Sequence, residues 1–357
     1  MKKLVLAMAG LLLIGTTAMA QDKEAIKAQK AAMKEAESTL KKAKSTYETS
    51  IPNPQYGRKE TDFAKLATAL PLIESAMANE YTKDNMDTWQ TAADISYEFY
   101  KKLETNVKAD PDNEKLKQQY IDDGIKLTTY CVKFDSLLAL DTKIKPEEKA
   151  KIHQKYQVMG VNPALQLLQA AQNASNNDDQ EELKKGAQYS EAFLNVMEKS
   201  HLMSDFKNEN LADWKTYAKA FRAQSYLHIE GAPEDVIVSA YKELIPTKYK
   251  ANAYQSLANY YRETDKAKQN QYLQEGLDAL KDDPEMHDTR AGFAMILMQN
   301  LYRAGDKEGF KKIAEVVKTE FADNENAINA YLMEAEIAFE AKDYKAAKDL
   351  FLTAKEK

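Results

Sequence analysis

Residues 331–354 read YLMEAEIAFEAKDYKAAKDLFLTA. Within them, Tyr331-x-x-Glu334-Ala335-x-x-Ala338 is followed by Tyr344-x-x-Ala347-x-x-x-Phe351-x-x-Ala354. Bulky residues recur at helical spacing, and a small residue stands wherever two helices would have to touch. A helical pair built this way cannot bury its apolar face alone and must stack on its neighbours. The stretch therefore predicts an all-α chain of stacked helical hairpins, an α-α superhelix that works by presenting a surface.

The pattern recurs upstream. Trp214-x-x-Tyr217-Ala218-x-x-Phe221 has the same order, and Tyr254-x-x-Leu257-Ala258-x-x-Tyr261 repeats it forty residues later. Ala294-x-x-Leu297-Met298-x-x-Leu301 follows after another forty, and Tyr331 after thirty-seven. Trp89-x-x-Ala92-Ala93 and Leu167-x-x-Ala170-Ala171-x-x-Ala174 are more diverged copies. One match is what any Ala-rich amphipathic helix gives; several in phase are not.

With 11 Gly and 9 Pro among 357 residues, the composition forms helix almost throughout. Pro, Asn and Asp mark the turns between helices expected at roughly 22–48, 61–80, 85–106, 113–139, 147–158, 163–175, 179–199 and 209–229. Seven more are expected at roughly 234–244, 248–264, 267–281, 288–303, 307–320, 325–341 and 343–356. Pro71 should kink the second helix or begin a new segment. Gly160-Val161-Asn162-Pro163 is read as a loop. No window alternates with period two, so no strand is expected.

These residues resemble the tetratricopeptide-repeat family. Tyr331, Ala335, Tyr344, Ala347, Phe351 and Ala354 occupy its bulky and small signature positions, Tyr254, Leu257, Ala258 and Tyr261 match its first-helix half, and Asp283-Pro284 is similar to its terminal pair. The resemblance covers roughly 210–357, with repeats longer than the usual length of about 34 and Glu334 in place of an apolar residue. It divides the chain into a leader at 1–20, diverged helical repeats at 21–205 and the better repeats at 206–357. The whole also looks like the exported repeat proteins of Gram-negative envelopes.

The leader has its own signature. Lys2 and Lys3 precede the short apolar run Leu4–Ile14, and Ala18-Met19-Ala20 supplies a cleavage pattern before Gln21. Export to the periplasm or the outer membrane is expected, with no membrane-spanning segment after cleavage. Losing Lys2 and Lys3 with the leader takes the formal net charge from −6 to −8. An acidic chain without a basic block argues against nucleic acid. The single Cys131 shares a helical stripe with Leu127, Phe134 and Leu138, which predicts a buried structural thiol.

No catalytic constellation, cofactor motif or metal-binding spacing is read, so no enzyme is expected. His153, His201, His228 and His287 stand apart with no His-Glu-x-x-His. Gly305 and Gly309 mark a turn between helices rather than a phosphate loop. The run Asn176–Glu182 is read as the cap of the following helix rather than a calcium loop. Ile26, Met33, Leu40 and Tyr47 recur every seven residues with Ala36 and Ala43 between, a seam read as packing onto the next helix.

In the tetratricopeptide family, ligand-facing residues come from the first helix of each pair. The resemblance then implies a peptide groove made of Asn252, Gln255, Asn259 and Arg262, then Met295, Gln299, Tyr302 and Arg303, then Asn329, Leu332, Glu336 and Phe339. Amides and guanidinium groups there would grip a peptide backbone or carboxylate. The expected function is an exported scaffold for a protein or peptide. A glycan-binding accessory of an outer-membrane uptake system is the alternative, motivated by two Trp and twenty Tyr. Leu350 and Leu352 on the last helix are expected to face solvent, a neighbour or a second copy.

Overall fold

The structure, a computed structural model, describes residues 18–356. The leader read at 1–20 lies outside them except for its last three residues, where the first helix begins. The helices of the N-terminal part are α1 (Ala18–Glu48), α2 (Phe63–Ala67), α3 (Leu70–Ala78), α4 (Met86–Ala109), α5 (Glu114–Leu140), α6 (Pro146–Ser175) and α7 (Gln180–Lys199). They are followed by α8 (Leu211–His228), α9 (Glu234–Lys242), α10 (Lys250–Tyr260), α11 (Lys266–Ala279), α12 (His287–Arg303), α13 (Lys307–Glu320), α14 (Ile328–Glu340) and α15 (Tyr344–Glu356). The described residues hold no strand, only an isolated bridge between Asn53 and Arg58, so the fold is all-α. No described helix is long and apolar enough to cross a membrane.

Local chemistry explains most boundaries. Pro71 falls in the first turn of α3, where its missing N–H costs nothing, so the chain restarts there. Asp179 accepts from the N–H groups of Glu181 and Glu182 at 2.9 and 3.1 Å, the cap expected of the acidic run. Gly305 ends α12 with φ 73°, and Asp306 caps α13 by accepting from Gly309 N.

One boundary differs from the sequence expectation. Gly160-Val161-Asn162-Pro163 is not a loop: α6 runs straight through it. Gly160 is so closely packed that a Cβ would stand 2.9 Å from Leu202, after α7, and 3.2 Å from Cys131 of α5. Met159, Val161, Pro163 and Ala164 are all buried. Burial on both sides outweighs the local preference of Gly and Pro to break the helix.

The described chain divides into two compact units, one made of residues up to 169 together with 192–208, the other of 170–191 with 209–357. Two core clusters are described in the first. Leu40, Ala43, Leu66, Ile73, Ala92 and Ile95 form one, and Ala93, Leu127, Cys131, Phe134, Leu138, Tyr156 and Leu202 the other. The neighbours Ala92 and Ala93 thus serve different clusters, which lets α4 be approached from two sides. Cys131 is buried as its stripe predicts, and burial pushes its thiol pKa far up. The heptad seam of α1 holds only in its second half: Leu40 and Ala43 are buried, whereas Ile26 and Met33 are exposed.

In the second unit, α10 packs on α11, α12 on α13 and α14 on α15, and each pair contacts the next through α11–α12 and α13–α14. Of the small residues of the motif, Ala218, Ala258, Ala335, Ala347 and Ala354 are buried and Ala338 is half-buried; in the weaker copy that begins at Ala294, both Ala294 and Met298 are buried. Glu334, the charged residue in an apolar position, is held by Lys318 Nζ at 2.9 and 3.0 Å to its two oxygens, and both side chains are largely buried. Arg290 is buried as well, donating to the Leu277 carbonyl at 3.1 Å and to Glu320 at 2.7 Å. Helices approach closely in this unit at Gly276, where a Cβ would lie 2.6 Å from the Phe293 ring.

Ala335→Leu is expected to destabilise this unit by about 1–3 kcal/mol by overfilling a buried helix contact. Lys345→Leu, on an exposed position of α15, should stay within about 0.5 kcal/mol of the parent. Chemical denaturation checks both; equal midpoints would mean that the helix register is wrong.

Candidate functional site

The expected groove residues fall into three groups on the folded chain. Asn252, Gln255 and Asn259 are exposed at i, i+3 and i+7 on α10, opposite the buried Ala253, Tyr254, Leu257 and Ala258. Arg262 is exposed in the turn that follows, beside Glu263 at 3.3 Å. On α12, Gln299 and Tyr302 are half-buried and Arg303 is exposed; on α14, Asn329 is half-buried while Glu336 and Phe339 are exposed. Met295, expected on the same stripe, is a core residue instead, because α12 is buried on most of its circumference.

The structure brings only the second and third groups together. Tyr302 donates its hydroxyl to Glu336 at 2.9 Å, and this bond raises the tyrosine pKa. Tyr302 and Arg303 line a cleft with Asp306, Phe310, Ile337 and Glu340. Its floor is apolar through Phe310 and Ile337, and its rim carries charges of both signs. Asn252, Gln255, Asn259 and Arg262 do not line it.

α14 and α15 also carry a surface the motif does not anticipate. Tyr344 and Phe351, read as packing residues, are 59% and 42% exposed, and with Phe339 at 58% and Leu352 at 46% they form one apolar patch. The Phe339 and Tyr344 rings stand 5.4 Å apart in a T-shaped contact. The motif places Ala347 and Ala354 correctly, but no described element covers the opposite face of α15. Leu350 is half-buried, so only Leu352 of the two leucines lies open.

The first unit assembles a cluster that sequence spacing kept apart. Asp135 of α5 is wholly buried, and each of its oxygens faces an imidazole. His153 Nδ1 of α6 approaches one oxygen at 2.5 Å, and His201 Nδ1, in the short turn after α7, approaches the other at 2.7 Å. His153 Nε2 meets Asp205 at 3.0 Å, and Gln157 donates to the same Asp205 oxygen and to the Leu202 carbonyl, both at 2.8 Å. A ring flanked by a carboxylate on each nitrogen donates from both. Burial works against that charge on His153, but the bonds to Asp205 and Asp135 outweigh it and hold the pKa above the usual histidine value. The same His153 bond, then that of Gln157, draws the Asp205 pKa down.

The histidines are therefore not isolated in space. Asp135 stands four residues after Cys131 on the stripe with Leu127 and Leu138. A carboxylate on a buried apolar stripe needs a partner. That was the available signal; which partners answer it depends on the fold. No protein-family model matches this chain, and no curated protein matches it either.

Proposed function

We propose that this protein is an exported, non-enzymatic scaffold of the tetratricopeptide type, which holds a protein or peptide segment on its C-terminal hairpins. The observation that carries this reading is the cleft of Tyr302, Arg303, Phe310, Ile337 and Glu340, on a unit that also carries the open patch of Phe339, Tyr344, Phe351 and Leu352. A polar rim that orients a backbone or carboxylate, beside apolar anchors, is the combination peptide-binding surfaces use. The leader at 1–20 supports export to the periplasm or the outer membrane. The same patch on α15 is where two copies would meet.

The test is affinity capture from envelope extracts of the native host with the parent protein, Arg303→Glu and Lys345→Leu. The expected result is a defined protein bound by the parent and by Lys345→Leu, and lost from Arg303→Glu. Capture that is indifferent to Arg303→Glu overturns the cleft as the site. Retention on a polysaccharide column that Tyr344→Ala abolishes would replace this reading with the glycan-binding one. Light scattering on the same samples reads self-association separately.

A further inference from the structure

We propose that Asp135, His153 and His201 form a binding site for one divalent first-row transition ion of the zinc class. One ligand atom from each of the three residues lies within 4.8 Å of the other two, and both Nδ1 atoms face the Asp135 carboxylate. Two imidazoles and one carboxylate are a donor set such ions favour over calcium or magnesium, which take oxygen ligands. Three protein ligands leave a coordination position for water or another group.

Burial separates this cluster from an ordinary surface ion pair. The Asp135 side chain is 1% exposed, so its charge must be met from within the protein. Two Nδ1 protons meet it when no ion is bound, and one divalent ion replaces both. The outer groups are also in place. His153 presents its second nitrogen to Asp205, which Gln157 holds in turn, the carboxylate–histidine arrangement that orients a metal-ligating imidazole and raises its basicity.

Access and room come from His201. Its side chain is 52% exposed and sits on the turn His201–Met203 rather than on a long helix. Coordination at about 2.0–2.2 Å in a tetrahedron places ligand atoms about 3.3–3.6 Å apart. Opening the 2.7 Å contact asks a sub-ångström outward shift of the exposed His201 ring, and the 2.5 Å contact of the buried His153 must widen by about an ångström as well. By comparison, the pair His287–Asp323 in the other unit offers two donors on the open surface, and no third ligand atom groups with it among the described residues.

The full chain, stripped with EDTA and dialysed, is titrated with Zn²⁺ by calorimetry and with Co²⁺ by visible absorption. The expected result is one ion per chain, d–d bands of a nitrogen–oxygen site with Co²⁺, and a melting midpoint that rises with Zn²⁺. Asp205→Ala should weaken binding about 10–100-fold by freeing the His153 ring. His201→Ala, which removes an exposed ligand and leaves the buried pair intact, should weaken it more, and His287→Ala not at all. A folded parent that binds neither ion stoichiometrically overturns the site. So does a His201→Ala variant, folded by circular dichroism, that binds as the parent does.

Discussion

Phe310→Ala is expected to cost the C-terminal unit about 3–5 kcal/mol, the largest single loss anticipated for this protein. Phe310 is fully buried in the cluster that also contains Leu297, Met298, Ile313 and Ala314, and its ring centroid lies 5.7 Å from that of Tyr302. Truncation removes the transfer energy of the ring and leaves a cavity that helix backbones on either side cannot close. It also removes the apolar floor of the cleft, so partner capture should fail together with stability. Phe351 is the control. It lies on the second helix of its own hairpin, as Phe310 does, yet it is 42% exposed. Phe351→Ala should cost about 1–2 kcal/mol, clearly less than Phe310→Ala. Denaturant unfolding followed by far-UV circular dichroism measures both; equal shifts would contradict the described packing of α13.

Asp135→Ala in metal-free protein is expected to lose about 3 kcal/mol, the lower end of the range for breaking a buried charged pair. The Nδ1 protons of His153 and His201 lose their acceptor, and His153 keeps a proton inside the protein with only Asp205 beside it. The loss stays at the lower end because Asp205 remains, and because His201 can turn to water. Adding His153→Leu should recover part of it, since no orphaned donor is then buried. Asp205→Ala should cost no more than about 1 kcal/mol, because its carboxylate is mostly solvent-exposed. An Asp135→Ala protein that unfolds at the parent midpoint would mean that the cluster contributes nothing to folding. That measurement is independent of whether an ion binds.

Helix content, the turns at Asp179 and Gly305, the restart at Pro71 and the buried alanines were legible because each is a local matter. A cap is satisfied within three residues, and a small residue every third or fourth position defines a face whatever lies opposite. Legibility ended where the deciding partner is distant in sequence. Gly160 and Pro163 read as a break, yet Cys131 and Leu202 pack on that segment and keep it helical. Met295 matched a ligand-facing position but lies on the buried side of its helix. Tyr344 and Phe351 matched packing positions on a face that nothing described covers. Glu334 looked like a defect in the motif until Lys318, sixteen residues earlier, was found to hold it.

By itself, then, the order of residues determined an all-α chain of paired helices and where most of those helices touch, because periodicity and small-residue placement act over one or two turns. Only the tertiary structure decided which aromatic rings are core and which are surface. It alone placed Tyr302 against Glu336, 34 residues away, and His153 and His201 on one buried carboxylate, 18 and 66 residues from it. The physical reason is that a buried charge or an open ring is defined by what packs against it, and these partners come from other helices.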